Sequence, residues 1–334
     1  MIIQWIHGIF GEKNNGKILI LKMILIITES VDIPSQRVMA LLRECAVAFK
    51  ALFIDKEDIN IEININEDKI LIDDINIESF TGVWLRRFNF HSYLFLEEGI
   101  DKTNTQLLEY LSNEKKKLFE YVLNKIYVKA KNVIGHPDYI EMNKLQTLQE
   151  AKNVGFSIPQ TQIVVEKKKL LPDTHSLISK PIGECFSYSN QNTIFYTLTE
   201  KVNLAELNDK FFYSLFQENI PKKFESKVVY FNKKTYSVAF LSQMNEKTQT
   251  DSRNYDSNQE LKIIPFEVPA NITERLNTLF SKLNLNFGIV DFIITPNDDF
   301  VFLELNPVGQ FNDIVEHGNY DLYNEIMNFL TSNK

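Results

Sequence analysis

The stretch FLELNPVGQF, residues 302–311, closes an apolar run with two oxygen-bearing side chains two positions apart, Glu304 and Asn306. A second apolar run just upstream, FGIVDFIIT (287–295), carries Asp291. With PNDD (296–299) as the turn of a hairpin, Thr295 pairs with Phe300 and Asp291 falls opposite Glu304. Directly opposed residues share a face, with Cβ atoms about 4.5–5.5 Å apart. Asn306, two beyond Glu304, shares that face. Val290, Phe292, Leu303 and Leu305 then point into the core. Two facing carboxylates repel, and a divalent cation turns that repulsion into coordination. Oxygen-only ligands with few protein donors suit Mg²⁺, which shares its shell with phosphate and water. The alternative is a solvated strand face bearing unpaired charges.

The rest of the chain must supply what positions these groups. Its 334 residues, 44% hydrophobic and 24% charged, have the composition of a globular protein with two or three domains. A net charge of −8 opposes general phosphate-driven nucleic-acid binding. Cys45 and Cys185 are far apart, with no CxxC and no histidine cluster, which excludes a disulfide framework or zinc site and fits a reducing cytoplasm. ILILKMILII (18–27) is broken by Lys22 and falls short of the roughly 20 apolar residues of a membrane helix. It lacks a small-residue cleavage site as well. No membrane partner is expected. Met23 reads as the natural start, with residues 1–22 an upstream or non-native extension.

Strand and helix signals alternate over residues 23–134. Strands are predicted at 24–29, 50–54, 69–73 and 82–86, and helices at 35–46, capped by Ser35, and 103–128. This is an open α/β pattern. Residues 135–217 form a central region. Its helix starts at an Asp138 cap and runs to about Asn153, with Gly155 as the stop. Strands follow at 160–165, 176–180, 193–198 and 211–220. Residues 218–334 hold a hairpin turning at Asn232–Lys234, an amphipathic helix at 271–285 and the Asp291–Glu304 hairpin.

The Asp and Glu-x-Asn hairpin resembles the metal-binding end of the ATP-grasp fold, and other landmarks of that fold lie upstream in order. Lys144 in MNKLQTLQEAKNVGF and Lys180 in ISKPIG look like its two phosphate-contacting lysines. FQENI (216–220), with Gln217, Glu218, Asn219 and Ile220, looks like the hinge that meets adenine. Glu225, seven residues after Glu218, looks like the ribose-binding acid. The resemblance implies an α/β, mixed α+β, ATP-grasp fold behind an N-terminal pre-ATP-grasp domain. It also implies ATP and two Mg²⁺ ions as cofactors.

Three further motifs narrow the resemblance. VWLRRF (83–88), the Asp251-x-Arg253 of TDSRNY and the Gly-Gln-Phe of NPVGQF together look like the graspetide ligases that macrocyclise microviridin-type ribosomal peptides, the grasp-with-spasm branch above all. That family implies a precursor peptide as partner, a homodimer, and ω-ester or ω-amide rings. In these, a Glu or Asp side chain is activated by ATP and joined to Thr, Ser or Lys. Asp291, Glu304 and Arg253 would be catalytic, with Arg253 matching a carboxylate or acyl phosphate in geometry. Asp251, Arg86, Arg87 and Lys227 are further substrate-binding candidates. Arg86 and Arg87 face opposite ways on a strand, so at most one reaches a cleft. Lys227 stands where relatives carry Arg, which keeps the charge but loses the fork. The loop after Lys180 is poor in glycine for a phosphate lid. For the precursor's leader, the 227–243 hairpin, the 167–169 lysines and Lys222–Lys223 are candidate contacts. The rival readings are an ATP-grasp ligase that adds amino acids to a protein or small-molecule carboxylate, and a non-catalytic peptide binder.

Overall fold

The computed structural model describes residues 22–56, 59–89, 94, 100–139, 142–170, 176–183, 187–189, 194–196, 199–241 and 262–332. Strands β1 (Met23–Thr28), β2 (Phe49–Phe53), β3 (Phe80–Leu85) and β4 (Asn132–Ile134) form a parallel sheet of order β2-β1-β3-β4. MILIIT reads as a continuous apolar run because both faces of this sheet are covered. Leu25, Ile27, Val83 and Leu85 pack against Phe119, Val122, Leu123 and Ile126 of helix α2 (Thr105–Lys129). Ile24, Ile26 and Trp84 pack the other way, on Val38 and Leu42 of helix α1 (Ile33–Glu44). The 69–73 segment does not join this sheet. It pairs antiparallel with Ile61–Asn64 and Ile75–Asn76 in a small sheet of its own. The N-cap of α1 is Asp32 rather than Ser35: the Asp32 carboxylate accepts the Ser35 N–H at 3.0 Å, which puts Ser35 inside the first turn.

The central sheet, order β7-β6-β8-β5, is antiparallel and comprises β5 (Thr161–Glu166), β6 (Leu177–Lys180), β7 (Glu200–Lys201) and β8 (Lys210–Glu218). A short hairpin pairs Ser187–Ser189 with Ile194–Tyr196. Ahead of it, Pro137–Tyr139 makes a single 3₁₀ turn instead of starting a helix. Helix α3 (Lys144–Asn153) is capped by Asn143, whose side chain accepts from the Leu145 and Gln146 N–H groups. Gly155, at φ +91°, ends it as expected.

The third sheet, order β11-β10-β9-β12-β13, contains β9 (Phe224–Phe231), β10 (Lys234–Phe240), β11 (Ile263–Pro265), β12 (Phe287–Ile294) and β13 (Phe300–Asn306). Asn232 and Lys233, both left-handed, make the tight turn between β9 and β10. One face packs on α3 and on α4 (Ala270–Lys282): Val228, Val290, Phe292 and Phe302 meet Leu148, Ala151, Leu276 and Phe280. The other face changes character along its length. At one end Val229, Phe231 and Ile289 share a core with the N-terminal sheet and with α5 (Asn312–Gly318) and α6 (Leu322–Thr331). At the other end the same alternation presents Glu225, Lys227 and Asp291 to a cleft. No helix among the described residues is long and apolar enough to cross a membrane.

The α6 helix closes tightly on the N-terminal sheet. A Cβ at Gly82 would stand 2.2 Å from the Leu330 carbonyl oxygen. Gly82→Ala therefore forces backbone apart, and a loss of about 1–3 kcal/mol is expected from such overpacking. A thermal melt checks this, and an unchanged midpoint would contradict the close approach.

Candidate active site

The β12–β13 hairpin pairs Asp291 with Glu304, by a different route from the simple register. Thr295 belongs to the loop: its Oγ1 accepts the N–H groups of Asn297 and Asp299, at 3.3 and 3.1 Å. Ile294 therefore pairs with Phe300, one residue short of the expected register, and the offset is corrected by a bulge between Phe302 and Glu304. The bulge turns Leu303 out of the core, where the simple register places it. Phe302 is in the core, and Leu303 lines the cleft beside Glu304.

The cleft, about 320 Å³, lies between the central and third sheets. Lys144 enters from the start of α3, Lys180 from the end of β6, and Gln217, Glu218, Asn219 and Ile220 from the end of β8 and beyond. Glu225 and Lys227 enter from β9, Asp291 from β12, and Glu304 and Asn306 from β13. Residues spread over more than 160 positions thus share one wall or its opposite. Lys144 Nζ lies 3.9 Å from Glu304 Oε2 and donates to the Gly183 carbonyl at 2.9 Å. Lys227 Nζ lies 3.8 Å from Asp291 Oδ2 and 5.5 Å from the centre of the Phe240 ring. Asp291 and Glu304 thus each face a lysine across a gap too long for a strong hydrogen bond. Lys222, which sequence reasoning did not place here, lines the cleft and pairs with Glu225.

The hinge is held by its flanking strands. Glu218 N–H donates to the Gln160 carbonyl and Asn219 N–H to the Ser176 carbonyl, both at 3.0 Å. Gln217 is fully buried, and its Nε2 donates to Thr161 Oγ1 at 2.8 Å. The Thr161 hydroxyl proton goes to the Pro159 carbonyl, also at 2.8 Å, so the hydroxyl can only accept from Gln217. Gln217 Oε1 is left as a buried acceptor with no partner among the described residues.

Lys144, Lys180, Lys222 and Lys227 confront Glu218, Glu225, Asp291 and Glu304 in this lining. Four positive charges against four negative ones leave no surplus to hold a polyphosphate. A divalent cation on Asp291 and Glu304 would supply it. Two carboxylates and the Asn306 carboxamide are hard oxygen donors that leave positions open for phosphate and water, which fits Mg²⁺. Asn306 Oδ1 accepts the Val308 N–H at 3.0 Å and keeps a second lone pair for a metal.

Arg86 and Arg87, of which at most one is expected to reach the cleft, are both outside its lining. Arg86 is 1% exposed, and its Nη2 and Nε reach Asp32 Oδ1 and Oδ2 at 3.1 and 3.2 Å. Arg87 is partly exposed, with Nε 3.7 Å from Asp32 Oδ1. Burial lowers the Arg86 guanidinium to about 10, opposed by Asp32, so it stays charged at neutral pH. Burial pushes the Asp32 carboxyl up, but Arg86, Ser35 and Gln310 outweigh it and hold it below its ordinary value. The 227–243 hairpin also differs from expectation. Its β9 is an interior strand whose Val228–Phe231 stretch is buried, with Glu225 and Lys227 facing the cleft. The lysine runs are answered locally, Lys168 and Lys169 by Glu166 and Lys223 by Asp298. Asp251, Arg253 and Cys185 lie outside the described residues.

Several solved structures match nearly the whole chain. The RiPP-associated ATP-grasp ligase of Chryseobacterium gregarium, solved with ADP and a leader and core peptide, superposes with a TM-score of 0.77. It is 21% identical over 93% of this chain and 96% of that one. The chain has the ATP-grasp ligase fold. Macrocyclase MdnC of Microcystis aeruginosa MRC, solved with its precursor peptide MdnA, gives 0.74 at 21% identity, covering 92% of this chain and 99% of that one. The ATP-grasp ligase PsnB with minimal precursor, Mg and ADP gives 0.71 at 16% identity, covering 96% and 100%. No protein-family model and no curated protein sequence matches the chain.

Proposed function

We propose that this chain is an ATP-dependent macrocyclase of the graspetide type, acting on a ribosomally made precursor peptide. The observation that carries the reading is the convergence of Lys144, Lys180, the 217–220 hinge, Glu225, Asp291, Glu304 and Asn306 on one cleft between two sheets. Sheet-to-sheet clefts with a few converging polar groups are where ligands bind. The Chryseobacterium gregarium ligase was solved with ADP and a leader and core peptide, and PsnB with Mg and ADP, which supports the same chemistry for this fold.

In this reading the hinge strand meets the base, and the buried Gln217 Oε1 suits the exocyclic amino group of adenine. Glu225 holds the ribose, and Lys144 and Lys180 hold the phosphates. Two Mg²⁺ ions, held by Asp291, Glu304 and Asn306, would neutralise charge on the phosphoryl oxygens. An oxygen of a peptide Glu or Asp side chain attacks the γ-phosphorus, and the bond to ADP breaks. A Thr or Ser hydroxyl, or a Lys amine, then attacks the carbonyl carbon of the acyl phosphate. Phosphate leaves, the nucleophile loses its proton, and an ω-ester or ω-amide closes the ring. Lys227, 3.8 Å from Asp291, balances that carboxylate, while Arg253 and Asp251 are proposed to hold the carboxylate being activated. The proposal includes a cytoplasmic homodimer and the division at 23–134, 135–217 and 218–334.

The test is ADP release with candidate precursor peptides and with free amino acids as acceptors. Peptide-dependent release supports the proposal. Release driven by free amino acids points to an amino-acid-adding ligase, and peptide binding without release points to a non-catalytic binder. Lys180→Ala is expected to weaken nucleotide binding by roughly 10-fold, the loss of one charge-assisted contact. Calorimetry with ADP checks this, and unchanged affinity would count against the phosphate role.

A further inference from the structure

Gln310 links the cleft to the N-terminal sheet. It lines the cleft next to Asn306 and Gly309, yet both ends of its amide are engaged by the N-terminal region. Gln310 Oε1 accepts from Arg86 Nη2 at 3.3 Å, and Gln310 Nε2 donates to Asp32 Oδ1 at 2.9 Å. The orientation of this amide is set by charge: turning it over would place its N–H₂ against a guanidinium and its oxygen against a carboxylate. Arg86 and Asp32 are themselves pinned. Asp32 caps α1, the Arg86 N–H donates to the Ile27 carbonyl at 3.0 Å, and the guanidinium lies 5.3 Å from the centre of the buried Phe311 ring.

On the cleft side the chain between Gln310 and Asn306 has little freedom. A Cβ at Gly309 would stand 2.7 Å from Ile289 Cδ1 and 3.3 Å from Asn306 Cγ. Ile289 is the register partner of Asn306, and Asn306 Oδ1 accepts from Val308 N–H within the same turn. A displacement of Gln310 is therefore passed through a packed turn to the Asn306 carboxamide.

We propose that Asp32, Arg86 and Gln310 form a charge-locked latch through which the N-terminal sheet positions Asn306, the last of the three cation ligands. This rests on the proposed metal role of Asp291, Glu304 and Asn306. It makes Arg86 and Gln310 positioning residues rather than contacts to substrate. Side chains that orient a metal ligand typically change metal affinity when altered, without touching the metal.

The test uses the full chain and two variants: Gln310→Met, which keeps length and loses both hydrogen bonds, and Gln310→Asn, which keeps the amide but falls short of Asp32. Mn²⁺ binding is titrated by electron paramagnetic resonance in the presence of ADP. ADP binding without metal and the melting temperature are measured beside it. The latch predicts Mn²⁺ binding weaker by roughly 10-fold in at least one folded variant, with metal-free ADP affinity unchanged. Wild-type Mn²⁺ affinity in the folded variants overturns the latch and leaves the site standing. So does a parallel loss of Mn²⁺ binding, ADP binding and stability in both variants, which marks Gln310 as merely structural. A wild-type chain that binds no Mn²⁺ with ADP overturns the metal reading and the latch together.

Discussion

Glu304→Gln is expected to lower ATP-dependent, peptide-dependent turnover on the order of a hundredfold or more, because a bound cation supplies several kcal/mol of charge stabilisation and each 1.36 kcal/mol is tenfold in rate. The substitution is nearly isosteric, so the bulged hairpin that pairs residue 304 with Asp291 should survive it. What changes is charge. With Glu304 neutral, the cleft carries four lysines against three carboxylates, and the proposed cation would lose one of its two anionic ligands. Lys144, 3.9 Å away, loses its facing charge as well. Binding of the peptide should stay near the wild-type value, because the role proposed for these groups is toward phosphate and metal rather than the leader. Asn306→Ala should act in the same direction and less strongly, since it removes a neutral ligand. Steady-state ADP release measures the rate, and fluorescence anisotropy measures peptide affinity. Near-normal turnover in both variants would refute the metal assignment.

Asp32→Ala is expected to be the most damaging to stability. It leaves Arg86, 1% exposed, without its counter-charge, and breaking a buried pair from one side costs about 3–5 kcal/mol. Loss of the α1 cap adds about 1 kcal/mol. Chemical denaturation followed by circular dichroism measures both. A double substitution, Asp32→Ala with Arg86→Met, should recover part of the loss, because no buried charge then lacks a partner. The pH dependence has a definite sign. The folded Asp32 carboxyl titrates below its unfolded value of about 3.9, so its contribution is present above that pH and lost as pH falls through the folded value. The wild type should therefore lose stability on acidification below pH about 4, and Asp32→Ala should show a flatter curve there. Equal stability of wild type and Asp32→Ala at pH 7 would contradict the pair.

Particular residues show how far the sequence could be read. The parallel N-terminal sheet was legible because β1 is apolar on both faces and turn signals bound it. The hairpin partners Asp291 and Glu304 were legible because the bulge at Leu303 cancels the one-residue offset at the turn and restores the simple register for that pair. Leu303 was misplaced because a loop hydroxyl, Thr295 Oγ1, shortens the pairing by one residue, and no local pattern announces that. Asn143 displaced Asp138 as helix cap, a choice between two similar capping signals five residues apart. The hairpin at 227–243 alternates like a surface strand pair, yet its strands β9 and β10 are interior to their sheet: helices cover one face, and a second core covers Val229 and Phe231 on the other, while Glu225 and Lys227 on that same face meet the cleft. Hardest to read was the contact of Asp32 with Arg86 and Gln310. The three lie 54 and 224 residues apart along the chain, and only the assembled sheets bring them together. In sequence, VWLRRF and VGQF were separate motifs; in the fold they touch.

The most direct measurement is mass spectrometry of candidate precursor peptides after incubation with the chain, ATP and Mg²⁺. The account predicts product peptides lighter by one water per ring, formed only with ATP, with fragmentation suppressed inside the ring. A peptide heavier by an added amino acid, or one left unchanged while ATP is hydrolysed, would contradict it.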